Sequence, residues 1–212
     1  TSMLYTPGRE MRLAQELVLG LGGARALEAL GIEPAIWHMN EGHSAFLQFE
    51  RLRRLVLEHG ASFDSAVAEL RRTSVFTTHT PVPAGNEVFD APLIRDYFDP
   101  RCAELGIAPE QWLALGSNDH GEPDQPFNMT ALAIRTSSRI NGVSAVNARV
   151  SARMWQHLIP ANGPAGEQLR AITNGVHHPS WLGLELQELF TSWFGERWPQ
   201  VVTSAEGREK LG

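Results

Sequence analysis

The sequence is short of cysteine and lysine, and each shortage limits its chemistry. Cys102 is the only cysteine among 212 residues, which excludes a framework of internal disulfides and predicts a reducing, cytoplasmic location. Of the 18 lysine and arginine residues, only Lys210 is a lysine. Chemistry that needs a buried lysine amine therefore has one candidate, and it lies in the polar stretch 206–212, where burial is not expected.

Long apolar runs and clusters of basic residues are also absent. No window approaches the roughly 18 apolar residues of a membrane span, and residues 1–9 show no signal-peptide pattern. The net charge is −6, and the longest basic runs are the arginine pairs at 53–54 and 71–72. Both pairs fall in helical patterns, where a solvated helix face is expected. We therefore expect neither a membrane nor a nucleic acid as partner.

Helical and strand patterns alternate along the chain. Hydrophobic periodicity of the helical kind separates short runs of β-forming residues. Strands that alternate with helices predict right-handed crossovers, and hence an α/β fold with a parallel sheet and helices on both faces. The predicted strands lie near residues 35–40, 74–78, 140–144 and 169–173. The predicted helices cover residues 13–30, 44–60, 63–72, 129–138 and 147–158.

Two stretches interrupt this regular pattern. Gly20, Gly22 and Gly23 fall inside the first helical stripe and predict a bend or break there. A glycine-rich phosphate cradle would lie between a strand and a helix, so close helix packing is the expected role of these glycines. The proline-rich stretch 81–127 is predicted to be less regular, with residues 117–125 as a mobile surface loop.

Polar residues follow all four predicted strands. In open parallel sheets ligands bind beyond the carboxyl ends of the strands, so these segments are the candidate site. They carry neutral hydrogen-bonding groups and one carboxylate, Glu41, a composition that suits the hydroxyls of an uncharged sugar. Each segment alone is also explained as a turn. The segments are residues 40–43, 77–81, 141–144 and 173–179.

A zinc site built from the histidines is an alternative interpretation of the same residues. Zinc-binding helices usually carry histidine at positions i and i+4. His38 and His43 instead lie in a predicted strand and the loop after it, so we expect no metal site. The other histidines considered are His79, His177 and His178.

Four segments together resemble the glycogen and α-glucan phosphorylases. They are similar to the family's sugar-site histidine segment, its Thr-x-His-Thr segment, its Asn-Met helix with an Asn-Gly-Val strand, and its Thr-Asn-Gly segment. All four occur in the family's order. Their residues are most similar to those of the short bacterial and archaeal branch, so the allosteric sites of muscle-type enzymes are not expected. The segments are WHMNEGHSAFL at 37–47, TTHTPVP at 77–83, NMTAL at 128–132 with INGVS at 140–144, and TNGVHHPSW at 173–181.

The resemblance implies a piece of a larger enzyme. Residues 1–181 would be part of the N-terminal Rossmann-like domain of a glycosyltransferase-B-type protein, and residues 182–212 a tail toward a missing C-terminal domain. That domain would carry pyridoxal phosphate on a lysine, so no cofactor is expected on this chain. The implied reaction transfers the terminal glucosyl unit of an α-1,4-glucan to phosphate, giving α-glucose 1-phosphate. The implied partners are therefore glucan, phosphate and the missing domain, with a homo-oligomer as the alternative to a monomer.

The resemblance also implies roles for particular residues. His79 and Asn174 would bind the 6-hydroxyl of the sugar, and the His79 carbonyl would approach the anomeric side. His43 and Glu41 would line the pocket floor, with the carboxylate orienting the imidazole or offsetting positive charge. The further contacts would be Thr80, Val143 and Asn40.

Two other functions are compatible with these residues. A glucan-synthase-like glycosyltransferase on the same fold would use a nucleotide sugar and no pyridoxal phosphate. A non-catalytic glucan-binding module would need exposed aromatic platforms, whereas Trp112, Trp155 and Trp181 lie in apolar patterns typical of a core. A hydrolase is disfavoured, because it needs two carboxylates at the bond and Glu41 is the one carboxylate at a strand end.

Overall fold

A four-stranded parallel sheet forms the centre of the fold. The computed structural model describes residues 8–82, 85–118, 125–159, 169–204 and 209. The sheet order is β1-β2-β5-β6, with every neighbouring pair parallel, and two further short strands, β3 and β4, pair antiparallel. All four predicted strands and the α/β class are confirmed. The strands are β1 (Trp37–Asn40), β2 (Ser74–Thr78), β3 (Val88–Phe89), β4 (Phe127–Asn128), β5 (Arg139–Gly142) and β6 (Leu169–Ala171).

Helices connect the successive strands of the parallel sheet, as the alternating pattern predicted, whereas no helix is described between β2 and β3. A π-helical segment, Val18–Gly22, joins the first two helices, and a 3₁₀ turn, Gly42–Ser44, follows β1. The helices are α1 (Arg9–Leu17), α2 (Gly23–Ala29), α3 (Leu47–His59), α4 (Phe63–Arg72), α5 (Ala91–Leu105), α6 (Pro109–Gly116), α7 (Met129–Arg135), α8 (Ala145–Met154), α9 (His178–Trp181), α10 (Leu184–Phe194) and α11 (Trp198–Thr203).

One face of the sheet supplies the core. The register places Met39, Phe76, Ile140 and Leu169 side by side across the four strands, and all four are buried. Successive strand residues point to opposite faces of the sheet, so these four apolar residues share one face. Apolar side chains of the helices pack against them in one core cluster. An aromatic cluster extends the core, with ring centroids 4.8–5.2 Å apart for three of its pairs. Those pairs join Phe49, Phe98 and Trp112.

The opposite face of the sheet is polar. Strand residues there alternate with the core positions, and those at the two edges of the sheet, His38, Asn40 and Arg170, are exposed. Two central residues on this face, Thr77 and Asn141, are buried and bonded to each other. This face therefore carries a hydrogen-bonded polar strip in place of an apolar layer.

The glycines of the first helical stripe lie in or beside the π-helical segment. A Cβ added at Gly20 would lie 2.7 Å from the Leu47 nitrogen and 2.9 Å from the Ser44 carbonyl oxygen. Any side chain at that position would therefore collide with the backbone that leads into α3. This confirms close packing as the role of Gly20. Gly23 meets nothing within 4 Å, so its side-chain space is open.

The proline-rich stretch contains two helices, and the prediction of irregular structure there was wrong. Pro92 and Pro109 lie in the first turns of α5 and α6, where the missing N–H costs no helical hydrogen bond. Pro100 lies inside α5, whose buried face is apolar at helical spacing. That face comprises Ile94, Phe98, Cys102 and Leu105. The loop predicted at residues 117–125 lies largely outside the described residues.

The chain divides into two compact units after Thr173. The first contains the sheet and its helices, and the second begins at Asn174 and contains α9, α10 and α11. Within the second unit, the Phe190 ring packs 5.3 Å from that of Trp198. The functional boundary expected at residue 181 stays a prediction. Among the described residues, no helix is both long enough and apolar enough to cross a membrane.

Candidate functional site

The predicted site segments leave neighbouring strands at one edge of the sheet. Asn40 is in register with Thr77, and Thr78 with Gly142, so β1, β2 and β5 end beside one another. Because these strands are parallel, the residues that follow them lie at the same edge. The first unit therefore brings three segments close together: Glu41, His79 and the chain after Gly142.

Glu41 links the ends of β1 and β2. Its backbone N–H donates to the Thr77 carbonyl at 2.9 Å, and its Oε1 accepts from the backbone N–H of His79 and from the Thr80 hydroxyl. Glu41 also has φ of 64°, the only positive φ among the described residues other than glycine. A non-glycine residue in this conformation is strained, and such strain concentrates at functional sites. The carboxylate therefore fixes the backbone that presents His79.

His43 is held by two residues of α1 that the sequence motifs did not indicate. It lies in the 3₁₀ turn after β1, and its Nδ1 is 2.9 Å from an Arg12 guanidinium nitrogen and 3.2 Å from Glu16 Oε1. Arg12 and Glu16 also form an ion pair of 3.0 Å at spacing i, i+4. The carboxylate that contacts the His43 ring is therefore that of Glu16, and the hydrogen bonds of Glu41 go to the other loop.

Burial and charge shift the pKa values of this pair. Burial raises the pKa of the Glu16 carboxyl group, since its side chain is only 1% exposed. The hydrogen bond to Glu16 raises the pKa of His43, while partial burial and the Arg12 guanidinium oppose the rise. Glu41 adds a smaller electrostatic contribution in the same direction as Glu16. The imidazolium form of His43 is therefore favoured beside a buried carboxylate.

The charged network continues through Glu87. Its carboxylate accepts a hydrogen bond from Arg9 at 2.7 Å and another from Arg12 Nε at 2.9 Å. Arg12 thus lies between Glu87 and Glu16, and the network connects the segment before β3 with the His43 turn. Sequence reasoning missed these residues, although a carboxylate at position 16 beside the apolar Leu13 and Leu17 was a visible signal.

Asn147 holds the loops that follow β2 and β5. Its side-chain Nδ2 donates to the His79 carbonyl at 3.0 Å, and its Oδ1 accepts from the Val143 backbone N–H at 3.1 Å. Its own backbone N–H donates to the Ser144 hydroxyl, which caps α8. The peptide groups on both sides of His79 are thereby fixed, one by Glu41 and one by Asn147.

Two motif glycines allow this close approach. A Cβ at Gly142 would lie 2.4 Å from Asn147 Oδ1 and 2.8 Å from the Ala148 backbone. A Cβ at Gly42 would lie 3.0 Å from the Met129 side chain, at the start of α7. These contacts explain why a glycine precedes both His43 and Val143.

A hydrogen-bonded chain crosses three strands beneath the site. His38 Nε2 is 2.7 Å from the Thr77 hydroxyl, which donates to Asn141 Oδ1 at 2.8 Å. Since that hydroxyl has one hydrogen and gives it to Asn141, His38 must donate to Thr77. The chain joins β1, β2 and β5 and stabilises the register on which the site depends.

The remaining predicted site residues lie in different settings. His79 and Thr80 are half-buried, and Asn40 is exposed on the edge strand. Val143 is half-buried, and its backbone N–H donates to the Asn147 side chain. Asn174 is exposed and is the first residue of the second unit, three positions after β6 ends.

A metal or a Schiff-base cofactor finds no support among the described residues. No group of three histidine, cysteine or acidic side chains there could hold a metal ion. None of the described residues is a lysine, and Lys210 lies outside them. The residues at the sheet edge therefore do not fit a pyridoxal Schiff base.

The chain is an α/β domain with polar residues at the carboxyl ends of its parallel strands, which is where ligands bind in open sheets of this class. No family model matches the sequence. It is 42% identical over 199 residues to the maltodextrin phosphorylase of Thermococcus litoralis, covering 92% of this chain and 22% of that protein. It is 40% identical over 192 residues to a Mycobacterium tuberculosis glycogen phosphorylase, covering 85% and 22%.

A third relative agrees with the first two. The glycogen phosphorylase of Aquifex aeolicus is 33% identical over 201 residues, covering 95% of this chain and 28% of that protein. The chain belongs to the glycogen and maltodextrin phosphorylase family, as the motifs predicted. It spans about a quarter of the length of these relatives.

Proposed function

We propose that this chain forms one side of the sugar site of an α-glucan phosphorylase. The full-length enzyme transfers the terminal glucosyl unit of an α-1,4-glucan to phosphate, giving α-glucose 1-phosphate with retained configuration. The observation that carries the proposal is the convergence of Glu41, His43 and His79 at one sheet edge in a chain related to phosphorylases. Substrate is positioned here, and the cytoplasm is the expected location.

Ring positioning is the contribution of these residues to the reaction. Holding the reacting sugar in one orientation lowers the barrier by removing rotational freedom before the chemical step. His79 and Asn174 bind the 6-hydroxyl, and His43 donates to a hydroxyl from the pocket floor. Glu41 acts on the backbone at His79, with Thr80 sharing its carboxylate. Val143 and Asn40 supply outer contacts.

Pyridoxal phosphate belongs, in this proposal, to the part of the full-length enzyme outside this chain. The described residues offer no amine for it. A nucleotide-sugar transferase and a glucan-binding module remain the competing functions, and a direct assay separates all three.

The test is an assay of the full-length protein with maltodextrin, in the presence and absence of orthophosphate. Phosphate-dependent release of α-glucose 1-phosphate is expected. Transfer from a nucleotide sugar without phosphate dependence would instead identify the synthase-like enzyme, and glucan binding without turnover the binding module. The 212-residue chain alone is expected to release no α-glucose 1-phosphate, with a mock purification as the control. Release by this chain would show that the active site is complete within it.

A further inference from the structure

Glu16 is buried beside the candidate sugar site, and its ion pair with Arg12 satisfies only one of its two carboxylate oxygens. Its side chain is 1% exposed, Oε1 is shared by Arg12 and His43, and Oε2 has no partner among the described residues. Removing a carboxylate from water is costly unless its oxygens are satisfied. The Glu16 carboxylate is incompletely satisfied and contacts the half-buried His43. This contact is therefore the candidate for a functional role of Glu16.

Two contacts at His43 Nδ1 compete with each other. The nitrogen can donate a proton to Glu16 at 3.2 Å, or it can accept one from Arg12 at 2.9 Å, but a single nitrogen cannot do both at once. Arg12 already donates to Glu87 through Nε, and the nitrogen that faces His43 also forms an ion pair with Glu16. Its charge is thus balanced by two carboxylates, whereas Glu16 retains an unsatisfied oxygen.

We propose that Glu16 is a positioning residue that keeps His43 protonated at Nδ1 and directs its Nε2–H toward the sugar. The functional part of this inference rests on the proposed phosphorylase site, whereas the Glu16–His43 coupling does not. Nε2 has no hydrogen-bond partner among the described residues, and 37% of the His43 side chain is exposed. The ring is therefore held from one side and open on the other.

The charged groups around His43 set the direction of its pH dependence. Glu16 and, more weakly, Glu41 raise its pKa, Arg12 lowers it, and Glu87 acts on it through Glu16 and Arg12. Since the folded-state pKa lies above the usual value, the imidazolium form persists to higher pH and is lost as pH rises through that raised pKa. Removing the Glu16 charge should shift this loss to lower pH.

The test compares Glu16→Gln with Glu50→Gln in the full-length protein. Glu50 is a matched control because its side chain is also 1% exposed, but its carboxylate pairs with Arg25 and Arg53. Histidine labelled with ¹³C at Cε1 reports the His43 titration, and His43→Gln identifies its resonance. Thermal unfolding checks that each variant is folded, and Glu16→Asp, which keeps the charge, provides a second test.

Glu16→Gln should lower the pKa of His43, whereas Glu50→Gln should leave it unchanged and Glu16→Asp should retain much of the rise. In kinetics, the alkaline limb of kcat/KM should move to lower pH, with a loss of about tenfold on the alkaline side of the profile and little on the acid side. An unchanged or increased His43 pKa in Glu16→Gln would overturn the proposal and favour donation from Arg12. Because the titration needs no substrate, its outcome is independent of whether the protein is a phosphorylase.

Discussion

The side-chain amide of Asn147 donates a 3.0 Å hydrogen bond to the backbone carbonyl of His79, across a sequence separation of 68 residues. The same side chain accepts from the Val143 N–H, so one residue holds the chain leaving β2 and the chain leaving β5. Glu41 holds the N–H of His79 from the other direction. The orientation of His79 is thus set by residues that need not touch the sugar.

Asn147→Asp tests the two hydrogen bonds of the Asn147 side chain separately. An aspartate keeps an oxygen to accept from Val143 but loses the donor to His79 and places negative charge against its carbonyl. We expect a loss of about 1–3 kcal/mol in unfolding free energy, together with weaker glucan affinity in the full-length protein. Denaturant unfolding and calorimetry measure the two effects.

Ser144→Ala is the matched control for Asn147→Asp. It removes the cap of α8 without touching His79, and should cost about 1 kcal/mol of stability. Glucan affinity should not change. Equal losses of affinity in both variants would mean that α8 stability, and not the bond to His79, controls the site.

Gly20→Ala should destabilise the fold. The new Cβ would lie 2.7–2.9 Å from backbone atoms of Ser44 and Leu47, so either the π-helical segment or the chain leading into α3 must shift. Overpacking of this kind costs about 1–3 kcal/mol. Gly23→Ala, in the same helical path with open space, should instead stabilise by about 0.5–1 kcal/mol. Thermal unfolding of both variants tests the contrast, and a stable Gly20→Ala protein would contradict the close packing.

Thr77→Val should weaken the sheet beneath the site. It keeps the shape of the side chain but leaves buried Asn141 without its donor and His38 without its acceptor. The expected cost is about 1–3 kcal/mol of unfolding free energy. Thr77→Ser keeps the hydroxyl and loses one methyl group, about 0.8 kcal/mol. If serine were as damaging as valine, packing of the methyl group would matter more than the hydrogen-bonded chain.

Sequence patterns predicted the strands better than they predicted the helices of the middle region. Residues 74–78 are β-forming and form β2 at those positions, because local preference and burial agree there. In α5, Pro92 and Pro100 argued against a helix, yet Ile94, Phe98 and Cys102 recur at helical spacing and are buried. Packing against the aromatic cluster outweighed the local cost of proline.

The candidate site was predictable only where its residues follow strands. Glu41 and His79 could be grouped because parallel strands end at one edge. The contacts of His43 with Arg12 and Glu16 span 31 and 27 residues. The apolar Leu13 and Leu17 indicate which side of α1 is buried, but no local pattern shows that this side packs against the 3₁₀ turn. Asn147 was missed for the same reason, since its partners come from two separate loops.

We expect His79 to contact the 6-hydroxyl of the reacting glucosyl unit. His79→Ala in the full-length protein should lower kcat/KM by roughly ten- to hundredfold, because a neutral hydrogen bond in a site shielded from water is worth about 1–3 kcal/mol. Pyridoxal-phosphate content should not change, since the proposal assigns that cofactor outside this chain.

A double-mutant cycle with a 6-deoxy glucosyl donor measures that contact most directly. The 6-deoxy donor already lacks the hydroxyl, so His79→Ala should reduce its kcat/KM much less than that of the normal donor. A difference of about tenfold or more between the two losses is the predicted result. Equal losses on the two donors would contradict the account and make His79 a structural residue at the end of β2.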